Sequence, residues 1–247
     1  MKKLWLALWV CAALLPRAAA LSAAAAVTMD ADTGETLFAE NADSRLPMAS
    51  TTKIMTALVA LGEGDLDRVY TVKKQYAAVE GSSMYLEEGE RLTLRDTLYG
   101  LLLSSGNDAA AAVAGECGGE RAFVDKMNAK ARELGLTDTR FENPSGLPSD
   151  GHYTTARELA KITAAALRDP VFRDIVSTKT CTAAGRTLVN HNRLLSLYED
   201  AIGVKTGFTR AAGRCLVSAA ERNGRTVIAV TLNDPDDWND HIALLDD

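Results

Sequence analysis

Asn223-Gly224 constrains the fold more than any other pair in this chain. It lies between Arg214-Cys215-Leu216-Val217-Ser218-Ala219-Ala220 and Thr226-Val227-Ile228-Ala229-Val230, two apolar runs of strand character. Both turn residues accept the positive φ of a type I′ turn, so the two runs return on each other as an antiparallel hairpin. A second hairpin is expected near the other end, where Ala26–Asp30 and Glu35–Ala39 flank Ala31-Asp32-Thr33-Gly34. The middle of the chain is helical in pattern. Ile54, Leu58 and Leu61 recur at helical spacing before Gly62, and Thr93 with Asp96 caps a stripe of Leu94, Leu98, Leu101 and Leu102. Helices are also expected from Asp108, over Glu120–Leu134 with Phe123, Met127 and Leu134 inward, and from Thr155 to Pro170. Strands are expected again at Lys179–Ala183, Thr187–Asn192 and Gly203–Phe208, and a last helix holds Trp238 and Ile242–Leu245. Strands, then helices, then strands predict an α+β fold in which the two ends share one antiparallel sheet, flanked by helices, with an inserted helical lobe.

At 247 residues the chain can bury a substantial core, and a formal charge of −6 offers nothing to a polyanion, so nucleic acid is not a partner. Lys2 and Lys3 precede the apolar run Leu4–Leu15, then Pro16 and Ala18-Ala19-Ala20. A basic start, a short apolar centre and small residues make a secretory signal peptide, and the run is shorter than a membrane-spanning helix needs. Residues 1–25 are therefore set aside as signal peptide and 26–247 taken as one domain, outside the cytoplasm and without a stable membrane anchor. Two cleavage regions stay open, one after Ala20 and one within Ser22–Ala26. Cys11 sits inside the apolar run, not after it, which argues against lipidation. Cys117, Cys181 and Cys215 have neither a disulfide framework nor metal-ligand spacing; they read as small buried hydrophobes, and a Cys181–Cys215 bridge is left undetermined.

Chemistry enters with Ala49-Ser50-Thr51-Thr52-Lys53, at the head of the apolar helix that runs to Leu61. Residues three apart share a helix face, so the Lys53 amine lies beside the Ser50 hydroxyl. A serine needs an adjacent base to become a nucleophile, and a lysine serves if burial or a nearby cation lowers its pKa. Downstream, Ser105-Gly106-Asn107 is a polar wedge between two apolar helices, costly to bury without purpose. Lys205-Thr206-Gly207 lies on an expected strand, where glycine permits close backbone approach and Lys plus Thr suit a carboxylate. Each alone is ordinary: a solvated helix pair, a linker, three strand residues. Ser-x-x-Lys, Ser-x-Asn and Lys-Thr-Gly in that order, on helix, turn and strand, form the motif set of penicillin-recognising serine enzymes.

On Pro47–Lys53, Ser105-Gly106-Asn107-Asp108-Ala109 and Val204–Thr209, the chain resembles the D-alanyl-D-alanine carboxypeptidases, low-molecular-mass penicillin-binding proteins of serine peptidase type. Gly81-Ser82-Ser83-Met84, Asn143–Leu147 and His152–Ala156 are weaker family-like stretches. The resemblance implies a β-lactamase/transpeptidase-like fold and needs no cofactor or metal. It implies Ser50 as acylated nucleophile, Lys53 as its base and Ser105 as proton relay. Asn107 would bind the substrate amide, and Lys205 with Thr206 the terminal carboxylate, with Gly207 beside them. The backbone N–H groups of Ser50 and Phe208 would form the oxyanion hole. Arg193 is a looser match to a residue that helps hold the carboxylate. Peptidoglycan stem peptides are the implied substrates, β-lactams the implied inhibitors and a monomer the implied unit. The family's β-rich second domain and basic membrane-surface helix have no counterpart before Asp247. His152, His191 and His241 are scattered, and no Gly-x-Ser-x-Gly elbow exists, which disfavours a Ser-His-Asp hydrolase. A DD-endopeptidase, a β-lactamase and a non-catalytic penicillin-binding module are the competing expectations.

Overall fold

The computed structural model describes residues 21–246. The signal-peptide expectation for residues 1–25 lies outside the described residues as far as Ala20. In chain order the described elements are β1 (Ala25–Asp30), β2 (Thr36–Glu40), a single 3-10 turn (Ala49–Thr52), α1 (Lys53–Leu61), β3 (Val69–Thr71), α2 (Lys74–Ala77), β4 (Arg91–Thr93), α3 (Leu94–Leu102), α4 (Asn107–Glu116) and α5 (Glu120–Glu133). They continue as α6 (Ala156–Leu167), α7 (Pro170–Ser177), β5 (Thr180–Ala183), β6 (Arg186–Val189), α8 (Leu194–Leu197), β7 (Ala201–Thr209), β8 (Gly213–Arg222), β9 (Arg225–Leu232) and α9 (Asp237–Asp246).

The sheet is antiparallel in the order β2-β1-β9-β8-β7, so the N-terminal hairpin joins the three C-terminal strands through the β1–β9 pair. The Asn223-Gly224 turn closes β8 on β9 with φ of +55° and +75° at its two residues, as a type I′ turn requires. Strands β1, β8 and β9 are apolar on both faces because both faces are covered. Val27, Met29, Val217, Ile228 and Val230 join the main core under α1 and α6, while Ala26, Ala220 and Ala229 pack against Leu244 and Leu245 of α9. The expected strands at 179–192 pair with each other, as β5 and β6, outside the main sheet.

Between β2 and β7 the helices form a lobe around α1, whose Ile54, Met55, Ala57 and Ala60 are buried. Thr93 and Asp96 make the expected capping box at α3: the Thr93 hydroxyl accepts from Asp96 N, and the Thr93 backbone donates back to the Asp96 carboxylate. The 3-10 turn before α1 lies against β7, so sheet and lobe meet at Ser50. Cys117, Cys181 and Cys215 are all free thiols, which closes the Cys181–Cys215 question for this structure.

Candidate active site

Ser50 lies in the 3-10 turn rather than in the α-helix itself, with Lys53 as the first residue of α1. The i, i+3 relation survives this difference, because a 3-10 turn also stacks residues three apart. Lys53 is fully buried, and its Nζ donates to Ser50 Oγ at 2.9 Å, to Asn107 Oδ1 at 2.8 Å and to the Ser145 carbonyl oxygen at 2.7 Å. Burial pushes the Lys53 amine well below its usual pKa, and the Lys205 charge pushes it the same way, while Asp108 opposes them. The amine is thus biased toward the neutral form that can accept a proton.

Asn107 opens α4, and its amide is held at both ends: Oδ1 accepts from Lys53, and Nδ2 donates to the Glu80 carbonyl at 2.7 Å. The next residue, Asp108, is buried and pins the loop before it, accepting from Ser83 Oγ at 2.6 Å and from Met84 N and Leu86 N at 3.0 Å. Ser105 is buried with φ of +59° and lines one cleft together with Ser50, Ser82, His191, Thr206, Gly207, Phe208, Arg214 and Trp238.

Strand β7 forms the opposite wall. Lys205 is 1% exposed, donates to the Thr206 carbonyl at 2.9 Å and is brought down by burial to about 7. Gly207 permits the close approach expected of it: a Cβ there would stand 3.0 Å from Ser50 N and 3.1 Å from Thr51 N. Phe208 is 65% exposed at the mouth.

Arg193 is placed differently. It precedes α8 and borders a neighbouring groove with Lys179, Asn190 and Leu197, its guanidinium 5.7 Å from the Trp238 ring centre. Arg214 of β8 stacks on the same ring at 5.8 Å, pairs with Asp237 at 3.0 Å and does line the Ser50 cleft. Sequence reasoning passed over Arg214, although a basic residue nine positions beyond Lys205 and across the β7–β8 turn was a usable signal.

The loop Asn143–Leu147 supplies the other missed element. Asn143 Oδ1 accepts from Ser145 N, Gly146 N and Leu147 N at 3.2, 2.8 and 3.2 Å, bending the loop so that the Ser145 carbonyl meets Lys53. Gly146 has φ of +88°, and a Cβ there would lie 1.9 Å from the Ala49 carbonyl, so this loop and the Ser50 turn interlock. His152 supports the same turn through Thr52 Oγ1 at 2.8 Å; His241 lies in the core between Ser218 and Thr231, and His191 forms cleft wall. Glu142 is held by Ser149, Gly151 and Arg140 and does not line the Ser50 cleft.

Among the described residues no group of three or more His, Cys, Asp or Glu could hold a metal ion. A family model described as D-alanyl-D-alanine carboxypeptidase matches residues 12–236. The chain is 40% identical to a D-alanyl-D-alanine carboxypeptidase of Streptomyces sp. strain K15, over 86% of this chain and 81% of that one. It is also 40% identical to the carboxypeptidase DacF of Bacillus subtilis, over 84% of this chain but only 56% of that longer protein. The solved Streptomyces K15 DD-transpeptidase superposes with a TM-score of 0.88 at 37% identity, over 93% of this chain and 98% of that one.

Proposed function

The chain belongs to the D-alanyl-D-alanine carboxypeptidase family of penicillin-binding serine hydrolases, and from that membership we propose that it removes the terminal D-alanine from peptidoglycan stem pentapeptides through an acyl-enzyme on Ser50. The observation that carries this reading is the buried Lys53 amine, 2.9 Å from Ser50 Oγ and biased toward neutrality by burial and Lys205. Lys53 takes the proton as Ser50 Oγ attacks the carbonyl carbon of the penultimate D-alanine. The N–H groups of Ser50 and Phe208 receive the developing oxyanion; the absence of a Cβ at Gly207 lets β7 come close enough for this. The proton passes to the departing amine with Ser105 as relay, and D-alanine leaves with its carboxylate near Lys205, Thr206 and Arg214. Water then attacks the ester, returns a proton through Lys53 and frees Ser50.

A β-lactam acylates the same serine. Deacylation is slow in this reading, because Glu142, the carboxylate nearest in sequence to the place where a β-lactamase positions its hydrolytic water, is engaged elsewhere. A second reading, transfer of the acyl group to an amine, is favoured by the name of the K15 relative and by the exposed Phe208 ring, an apolar wall for an acceptor peptide. We take the chain from Leu21 onward as the catalytic unit, because β1 already starts at Ala25 and Ala23 is buried against the sheet. We place it on the wall side of the membrane: residues 1–20 have the composition of a signal peptide, and among the described residues no helix is long and apolar enough to cross a bilayer.

The test is incubation with a diacylated peptide ending in D-Ala-D-Ala, with and without an added amino-acid acceptor. Free D-alanine in water alone, absent with Ser50→Ala, is the expected result. Product only when the acceptor is present would replace hydrolysis by transfer, and no product in either case would contradict both.

A further inference from the structure

Ser22 lies between two carboxylates that the catalytic site does not use. Its backbone N–H donates to Asp240 Oδ2 at 2.6 Å, and its hydroxyl stands 2.6 Å from Asp234 Oδ1 and 3.0 Å from Asp240 Oδ2. One hydroxyl hydrogen cannot serve both carboxylates. Asp234 is fully buried, and its Oδ2 has no hydrogen-bond partner among the described residues. Among the described residues neither acid forms an ion pair, and the neighbouring Arg214 pairs with Asp237. A buried carboxylate short of donors calls for a cation.

The chain from Ser22 onward is committed to the fold. Ala24 N meets the Leu232 and Asn233 carbonyls at 3.1 Å, Ala23, Ala25 and Ala26 are buried, and β1 starts at Ala25. Any cut within Ser22–Ala26 removes Ser22 and its contacts to Asp234 and Asp240, and the later ones also remove the start of β1. Of the two cleavage regions compatible with the sequence, the one ending at Ala20 keeps them all.

We propose that the chain is processed by hydrolysis of the Ala20–Leu21 peptide bond and that the Leu21 α-ammonium so created is held by Asp234 and Asp240. An endopeptidase reading small residues at Ala18 and Ala20 adds water across the bond. The C–N bond breaks, Ala20 leaves as a carboxylate and the Leu21 nitrogen becomes the ammonium. That nitrogen is one residue from Ser22 N, at most about 3.7 Å by covalent geometry. The Leu21 side chain packs on the cluster of Ala23, Ala26, Leu244 and Leu245, which fixes the terminus in place. An α-amine with an ordinary pKa of about 8 is charged at neutral pH and supplies the missing donors. Without it, burial raises the Asp234 carboxyl to about 6. The Asp236 N–H is shared between Ser22 Oγ and Asp234 Oδ1, both at 3.1 Å, which leaves Asp234 Oδ2 without a donor; the Asp236 carboxylate holds Asn239, and His241 is occupied by Ser218 and Thr231.

The full chain should be secreted from a bacterial host and its first residue determined by sequencing and intact mass. Leu21 is the expected start; a start at Ser22 or later, or retention of residues 1–20, would overturn the cleavage assignment. In the folded secreted protein at pH 8, acetylation of the Leu21 amine by an N-hydroxysuccinimide ester should run roughly tenfold slower than in urea, the effect of about one pKa unit. The paired ammonium has a raised folded pKa, so its stabilisation is present below about pH 8 and lost as pH rises through the folded value. The wild-type thermal midpoint should therefore fall further between pH 7 and pH 10 than that of Asp240→Asn. Equal labelling rates, or equal pH responses, would contradict the ammonium contact.

Discussion

The Ser145 carbonyl oxygen lies 2.7 Å from Lys53 Nζ, so a main-chain atom helps aim the amine at Ser50 Oγ. With Asn107 Oδ1 at 2.8 Å it holds two of the amine's hydrogens, which leaves the third tetrahedral direction to Ser50 Oγ at 2.9 Å: a hydrogen in the ammonium, the lone pair in the neutral amine. Orientation of the Lys53 amine is thus shared by α1, α4 and the Asn143–Leu147 loop.

Asn143→Ala removes the acceptor that bends this loop, and the Ser145 carbonyl drifts from Lys53. Acylation by penicillin should slow by about 10- to 100-fold, the cost of misplacing a reacting group by around 1 Å. Stopped-flow acylation rates, with circular dichroism to confirm folding, check it. An unchanged rate would show that the loop does not orient the base.

Lys205→Gln removes the like charge that lowers the Lys53 pKa. The Lys53 pKa should rise, and the limb of the acylation profile that climbs with pH should move to higher pH. The stability effect has its own sign. Lys205 is brought from 10.5 to about 7 by burial, so between those values the unfolded chain binds more protons and the wild type gains stability as pH rises. In Lys205→Gln that gain should shrink, which chemical denaturation at several pH values would measure.

Gly207→Ala drives a Cβ to within 3.0 Å of Ser50 N and 3.1 Å of Thr51 N, both backbone atoms. Separating strand and turn costs about 1–3 kcal/mol of stability as overpacking, and about 100-fold in acylation if the oxyanion donors lose register. A folded variant with wild-type acylation would contradict the proposed oxyanion hole.

Arg214→Ala should raise KM for a peptide with a free terminal carboxylate and leave an amide-terminated peptide nearly unaffected. Arg193→Ala should do much less, because Arg193 borders the neighbouring groove rather than the Ser50 cleft. The ratio of kcat/KM for the two peptides in each variant distinguishes the two arginines.

Local signals in the sequence carried well into the structure. The Asn223-Gly224 turn and the Thr93–Asp96 capping box each involve residues a few positions apart, and each formed as expected. The meeting of the chain ends in one sheet followed from strand composition at both ends, and the family motifs brought Ser50, Lys53, Ser105 and Asn107 to one place. The contribution of Ser145 was not legible, because a carbonyl oxygen is common to every residue and only tertiary bending by Asn143 aims it. Arg193 and Arg214 both approach Trp238, but only Arg214 lines the Ser50 cleft, and distance along the chain does not say which of the two does. The 179–192 strands were legible as strands, but their exclusion from the main sheet depends on where α7 and β7 leave them.

The most direct measurement is peptide mapping by mass spectrometry after brief exposure to penicillin, on the wild type and on Lys53→Ala. The expected result is one penicilloyl group, on Ser50, persisting for many minutes in the wild type and nearly absent in Lys53→Ala. An adduct on another residue, or full acylation of Ser50 without Lys53, would contradict the Ser50–Lys53 mechanism.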